Sequence, residues 1–132
     1  MGTEDFGKLV LRLTLGGLLL FHGVHKILTG IDPIRAMIGS HGLPDYLAYG
    51  VYAGEVLAPV LIILGLFSRI GGVLVVLNMI VAILLVHMGM LLGLNEQGGY
   101  LLETQMFFLF GGVAVALLGA GRIAIGGEGP LN

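Results

Sequence analysis

Four apolar segments, each near the length needed to cross a bilayer, make up most of this chain. They cover about residues 6–28, 46–67, 70–94 and 100–119, and a transmembrane helix needs roughly 20 mostly apolar residues. Charged residues are 11% of the chain, against about 25% in a soluble domain, so they are too few to cover a water-facing surface. We therefore predict a single all-α membrane domain over residues 1–132, folded as an antiparallel bundle of four transmembrane helices.

The first connection is the only long one, and it carries the signals of a short helix. Asp32 suits the N-cap and Pro33 the first helical position, while Gly39 and Pro44 close the element. Its apolar residues fall on one face. We predict a helix that lies in the membrane interface, in the first extracytoplasmic loop.

The basic residues predict the orientation of the chain in the membrane. Lys8, Arg12, Arg69 and Arg122 fall on the side that holds both termini, whereas only Lys26 and Arg35 fall on the other. Cytoplasmic loops carry the excess of Lys and Arg, so both termini are expected in the cytoplasm. The net charge of -2 offers no basic field for nucleic acid; the expected partner is the lipid bilayer.

Glu55 lies near the middle of the second apolar segment. A charged side chain at the bilayer centre costs about 2.5–3.5 kcal/mol on insertion scales, so it is expected to face the protein interior. Pro59, one turn later, lacks the N–H that would bond the carbonyl of Glu55. We expect Glu55 to be a functional residue; in the structural alternative it pairs with Lys26 and holds the helices together.

Depth matching places most of the unusual polar side chains in one half of the bilayer. The outer half is expected to hold His22, His25, Lys26, Glu55, His87 and Glu103. Only Arg12 and Asn78 stand out in the inner half. Asn78 and His87 are nine residues apart, about half a turn out of phase on a straight helix, so such a helix cannot point both inward.

Three roles fit this outer-half set, which would line a ligand site. His22, His87 and Glu103 are candidate metal ligands; Glu55 and His22 are candidate catalytic groups that exchange protons with a quinone or substrate; or the set is structural. No helix carries His-x-x-x-His or Glu-x-x-His. The chain has no cysteine, so redox chemistry requires a cofactor, a quinone or a partner. Quinone, haem and transition metal remain open, and the aromatic residues Phe21, Tyr49, Tyr52, Phe107 and Phe110 could accept a flat ring.

Several short motifs, in order, resemble the DoxX family of small four-span bacterial membrane proteins. The matching stretches are residues 12–16, 21–26, 54–55, 64–69, 78–82, 102–103 and 118–122. They cover nearly the whole chain. The Gly-x-x-Lys and Gly-Glu positions of the family match at Gly23, Lys26, Gly54 and Glu55, whereas the histidines resemble a feature of one branch.

The resemblance implies a four-helix bundle in the bacterial cytoplasmic (inner) membrane that acts as an oxidoreductase subunit. Relatives in this family include the membrane subunit of thiosulfate:quinone oxidoreductase, and a member associated with superoxide dismutase and a sulfurtransferase. A redox partner protein and a homo-oligomer are therefore candidate partners. The competing hypothesis is a non-catalytic membrane subunit or small-molecule carrier in which the polar cluster is structural.

Overall fold

The computed structural model describes all 132 residues, and they form an all-helical protein without β-strands. The helices are α1 (Thr3–Thr29), α2 (Asp32–Ser40), α3 (Asp45–Leu64), α4 (Ser68–Met90) and α5 (Glu103–Leu118). An isolated antiparallel bridge joins Leu94 to Tyr100 in the loop before α5. The prediction of an all-α protein is confirmed.

Three of the helices, α1, α3 and α4, are long and apolar enough to cross a membrane. The fourth predicted span is shorter than expected, because α5 has 16 residues. At 1.5 Å per residue it rises about 24 Å, below the roughly 30 Å of a hydrocarbon core. Gly119 follows the last residue of the helix, and its positive φ of 77° is a backbone conformation that favours glycine.

Two of the helices are not α-helical throughout. In α3, a 3₁₀ turn (Asp45–Tyr49) is followed by one α turn, a π turn (Ala53–Leu57) and a final α segment. In α4, an α segment (Ser68–Ala82) leads into a π turn (Ile83–His87) and a short 3₁₀ turn. Single π turns occur frequently at functional sites, and both of these occur beside the same cavity.

The four longer helices pack around one apolar core. Helix α1 contacts α3 and α5, and α4 also contacts α3 and α5. Each helix contributes two residues to the core: Leu15 and Leu19, Ala58 and Ile62, Val75 and Met79, Phe108 and Val115. Glycines bring the backbones together. A Cβ added at Gly72 of α4 would lie 2.6 Å from the carbonyl oxygen of Gly112 on α5, which is too close for any larger residue without a shift.

The outward faces of these helices are apolar. Phe21, Phe107 and Leu117 are each more than 70% exposed, and large aliphatic side chains cover much of the remaining surface. A soluble monomer rarely exposes so continuous an apolar surface. The exterior is therefore suited to lipid, and the helical fold is compatible with a membrane bundle.

Hydrogen bonds tie both termini and the α3–α4 turn together at one end of the molecule, which we call the terminal end. The Arg122 N–H donates to Asp5 at 3.0 Å, and the Arg69 N–H donates to the carbonyl of Leu131 at 3.2 Å. The Gly126 N–H also reaches the carbonyl of Gly65. Helix α2 and the loop before α5 lie away from this end, beside the opposite ends of α1, α3 and α4.

Candidate functional site

A cavity of about 420 Å³ lies between α2, α3 and α4, and thirteen of its twenty lining residues are hydrophobic. Helix α2 contributes Ile34, Met37 and Ile38, so its apolar face covers one side. The polar lining side chains are those of Lys26, Glu55, Asn78 and His87. Small-molecule sites in proteins are typically concave, mostly apolar and about 300–1,000 Å³ in volume, so this cavity has the size and character of such a site.

Glu55 is the centre of a buried polar group beside this cavity. The side chain is only 8% exposed, and its Oε1 forms an ion pair with the Lys26 ammonium. Its Oε2 accepts a hydrogen bond from the Asn78 amide at 3.2 Å. Each carboxylate oxygen therefore has a partner on a different helix. This is the contact expected if Glu55 pairs with Lys26 and links the helices.

The local sequence explains how the three side chains meet. A Cβ at Gly23 would overlap the carbonyl oxygen of Glu55, so only glycine lets α1 approach α3 this closely. Lys26 follows Gly23 by three residues and therefore projects from the same face one turn later. A Cβ at Gly54 would overlap the Asn78 side chain. The Gly-x-x-Lys and Gly-Glu motifs thus combine a close backbone approach with the ion pair that crosses it.

Pro59 lies in the turn after the π turn of α3. Since proline lacks an N–H, the carbonyl of Glu55 has no donor four residues along the helix. That carbonyl lies instead against the backbone of Gly23. The π turn and Pro59 together therefore leave the backbone of Glu55 facing α1.

His87 joins the cavity through the π turn of α4. On a regular helix, nine residues would place it about half a turn from Asn78. A π turn accommodates one extra residue, so the pair is separated as if by about eight residues, or near a quarter turn. Asn78 and His87 both line the cavity as a result. The expected conflict between them applies to a straight helix, which α4 is not.

The other predicted site residues lie outside this cavity. His22 and His25 are exposed on α1, where the His22 ring meets the edge of Phe108 at 5.6 Å between centroids. Glu103 is exposed at the start of α5. The structure holds no group of three or more acidic or histidine side chains placed to hold a metal ion. It therefore does not bring His22, His87 and Glu103 together as the predicted ligand set.

The predicted aromatic lining is also absent from the cavity, none of whose lining residues is a phenylalanine or tyrosine. Phe21, Phe107 and Phe110 are exposed, and Tyr49 stacks near Arg35 at 5.9 Å. Tyr52 donates a hydrogen bond to the carbonyl of Lys26 at 3.3 Å. The walls are aliphatic instead, supplied by leucine, isoleucine, valine and methionine.

Asn78 was expected in the inner half of the bilayer, apart from Glu55, but the hydrogen bond between the two side chains shows that the expected separation was wrong. Glu55 lies ten residues after the start of α3, and Asn78 lies ten residues after the start of α4. Both are therefore near mid-depth in their helices. Counting the residues from each of the two side chains to both ends of its helix, rather than to one end, would have placed Glu55 and Asn78 at similar depth.

Comparisons with known proteins agree on one family. A model of the DoxX family matches residues 7–88. A protein of Bacillus subtilis (strain 168), named "Putative oxidoreductase CatD", is 34% identical over 121 residues, which is 92% of this chain and 85% of the relative. No solved structure matches. The family match includes Gly23, Lys26, Gly54 and Glu55, which build the buried polar group, and this chain belongs to the DoxX family of membrane proteins.

Proposed function

We propose that this protein is the membrane component of an oxidoreductase system and binds a quinone in the cavity between α2, α3 and α4. The observation that carries the proposal is the cavity itself: about 420 Å³, mostly apolar, with polar groups on α1, α3 and α4. A quinone is a flat, neutral ring with carbonyl oxygens at its edge, so it matches an apolar site with few polar groups. The relative named as an oxidoreductase supports the same class.

Electrons would pass between the bound quinone and a redox partner protein. The chain has no cysteine, and no tyrosine or tryptophan lines the cavity. The role left for its own residues is to bind the ring, exclude water and place polar atoms beside the ring oxygens. A redox partner protein at the membrane surface, which supplies or accepts these electrons, would complete the system.

Calorimetry on the detergent-solubilised protein tests quinone binding. Saturable binding of naphthoquinone near one per chain is expected. Met37→Trp, which pushes a larger side chain from α2 into the cavity, should reduce the affinity strongly. Ala36→Trp is the matched control, because Ala36 is exposed on α2 and does not line the cavity. Equal binding by both variants would place the ligand elsewhere, and no binding by the wild type would reject the function.

A second candidate is a non-catalytic membrane subunit or small-molecule carrier. The mutual pairing of Lys26, Glu55 and Asn78 favours it, because a cluster whose members satisfy each other need not take part in chemistry. Absorbance of the purified protein separates the two functions further. A Soret or charge-transfer band, or a bound quinone that is reduced when a reductant is added, supports the oxidoreductase role.

For the topology we propose one domain with four spans in the bacterial cytoplasmic membrane, α2 in the outer interface, and both termini in the cytoplasm. The joining of both termini to the α3–α4 turn at the terminal end supports an even number of crossings, as does the basic-residue count. Reporter fusions after Ser40 and Asn95 should read as outside and a fusion after Arg69 as inside. The reverse pattern would overturn the orientation, and a fusion after Asn95 that reads on the same side as Arg69 would overturn the span count.

A further inference from the structure

The polar groups of the cavity differ in whether they already have partners. Lys26 and Asn78 both hydrogen-bond to Glu55, whose two oxygens are thereby occupied. The Nδ1 atom of His87 is buried and has no hydrogen-bond partner. Buried polar atoms are nearly always paired, so an orphaned one calls for an explanation.

The placement of His87 points to an occupant of the cavity. The residue ends the π turn of α4 and lines the cavity next to Val86 and Leu85. A regular helix would point it away from Asn78, and the π turn brings it round. The chain thus departs from regular helix geometry at a histidine that lines the apolar cavity and carries an unpaired ring nitrogen.

We propose that His87 is the specificity-determining residue of this cavity, and that its imidazole hydrogen-bonds to an oxygen at the edge of a neutral ring compound. This inference rests on the proposed function and assigns the roles within it. Lys26, Glu55 and Asn78 hold α1, α3 and α4 together, whereas His87 recognises the ligand. The ligand is neutral because the charges of Lys26 and Glu55 cancel, so the apolar walls offer no free counter-ion to an ionised one.

A histidine suits a ligand that changes oxidation state. A neutral imidazole carries one N–H donor and one acceptor nitrogen. A ring nitrogen that carries the proton donates to the carbonyl of a quinone, and a ring nitrogen that lacks it accepts from the hydroxyl of a quinol. The same side chain can therefore bind both forms of the ring by changing tautomer.

The test compares two probes with the same fused two-ring carbon skeleton: naphthoquinone, which has two carbonyl oxygens, and naphthalene, which has none. Calorimetry on the detergent-solubilised protein measures both affinities, each corrected for partition of the probe into micelles. The wild type should bind naphthoquinone about tenfold more tightly than naphthalene, the size of one hydrogen bond. His87→Phe keeps a planar ring but removes both nitrogens; it should abolish this preference and leave naphthalene binding unchanged. His87→Gln, which retains a donor and an acceptor, should restore part of it.

His41→Gln is the matched control, because His41 is exposed beyond α2 and does not line the cavity; it should retain the full preference. A preference that survives in His87→Phe overturns the inference and leaves quinone binding intact. Equal affinity of the wild type for both probes also overturns the inference and leaves quinone binding intact, since no residue then hydrogen-bonds to the carbonyl oxygens. Failure of the wild type to bind naphthoquinone overturns both proposals. Should His87→Phe fail to fold, His87→Leu replaces it under the same criteria.

Discussion

Arg12→Met is expected to cause a large loss of stability, although Arg12 lies far from the cavity. The residue is 1% exposed, and its guanidinium donates to four backbone carbonyls at 2.6–3.0 Å: those of Ile62, Ile63, Ala120 and Ile123. A hydrogen bond to a charged group contributes about 1.5–3 kcal/mol. Methionine fills similar space but donates none of these four hydrogen bonds, so we expect a loss of about 4 kcal/mol or more.

Helix termini explain why a buried cation is stable there without a carboxylate. Ile62 and Ile63 lie in the last turn of α3, where the carbonyls lack the usual donor four residues on, and the carbonyl of Ile62 accepts only a 3.3 Å bond from the N–H of Gly65 there. The negative end of the helix dipole also favours a cation. Arg69 does the same for α5 by donating to the carbonyls of Ala116 and Leu117. The two arginines thus satisfy the ends of two helices and tie the tail at residues 119–132 to them.

Thermal melting of the detergent-solubilised variants measures this effect. Arg122→Met is the matched control, because Arg122 is exposed and its ion pair with Glu128 lies at the surface. Surface pairs contribute about 0–1 kcal/mol, so this variant should melt near the wild type. Arg12→Lys should recover only part of the loss, since one ammonium cannot reach four carbonyls. If Arg12→Met has the same melting temperature as Arg122→Met, the Arg12 guanidinium does not hold the terminal end together.

The sequence predicted much of this architecture because the length and apolar composition of membrane helices are visible in it. The bounds of α1 and α2 lie within a few residues of those expected, and the short connections follow from Gly and Pro. Glu55 was predictable for the same reason: an acid in an apolar run must face a protein interior. Its partner Lys26 was one of the alternatives, since it lies near the end of α1 with a stem long enough to reach inward.

What the sequence could not reveal was helix phase and the partners of backbone groups. His22 and His87 are both histidines in apolar segments of the sequence, but His22 is exposed on α1, whereas the π turn of α4 places His87 at the cavity. A π turn has no reliable sequence signal, because it changes hydrogen-bond register rather than composition. Arg12 was singled out as a cation within an apolar segment, but its hydrogen-bond acceptors are backbone carbonyls of segments distant in the chain. Every residue has such a carbonyl, so the sequence does not indicate which ones accept.

Glu55→Gln is the second change with a large expected effect, and it separates a structural ion pair from a ligand group. Glutamine is nearly isosteric and still hydrogen-bonds, so Asn78 keeps an acceptor. The Lys26 ammonium, however, loses its counter-charge while three-quarters of its side chain remains buried. Breaking a buried pair by removing one partner costs about 3–5 kcal/mol. We expect a clear fall in the melting temperature in detergent.

The rescue variant makes this prediction specific. Adding Lys26→Met to Glu55→Gln removes the stranded charge, and the double variant should recover much of the lost stability, because an apolar replacement of a buried pair is often neutral. Glu96→Gln is the control, since Glu96 is exposed in the loop before α5 and should melt as the wild type does. The opposite pattern is an unchanged melting temperature with loss of naphthoquinone binding. It would mean that Glu55 meets the ligand directly, because an amide in place of the carboxylate would then alter recognition while the helices stay together without the ion pair.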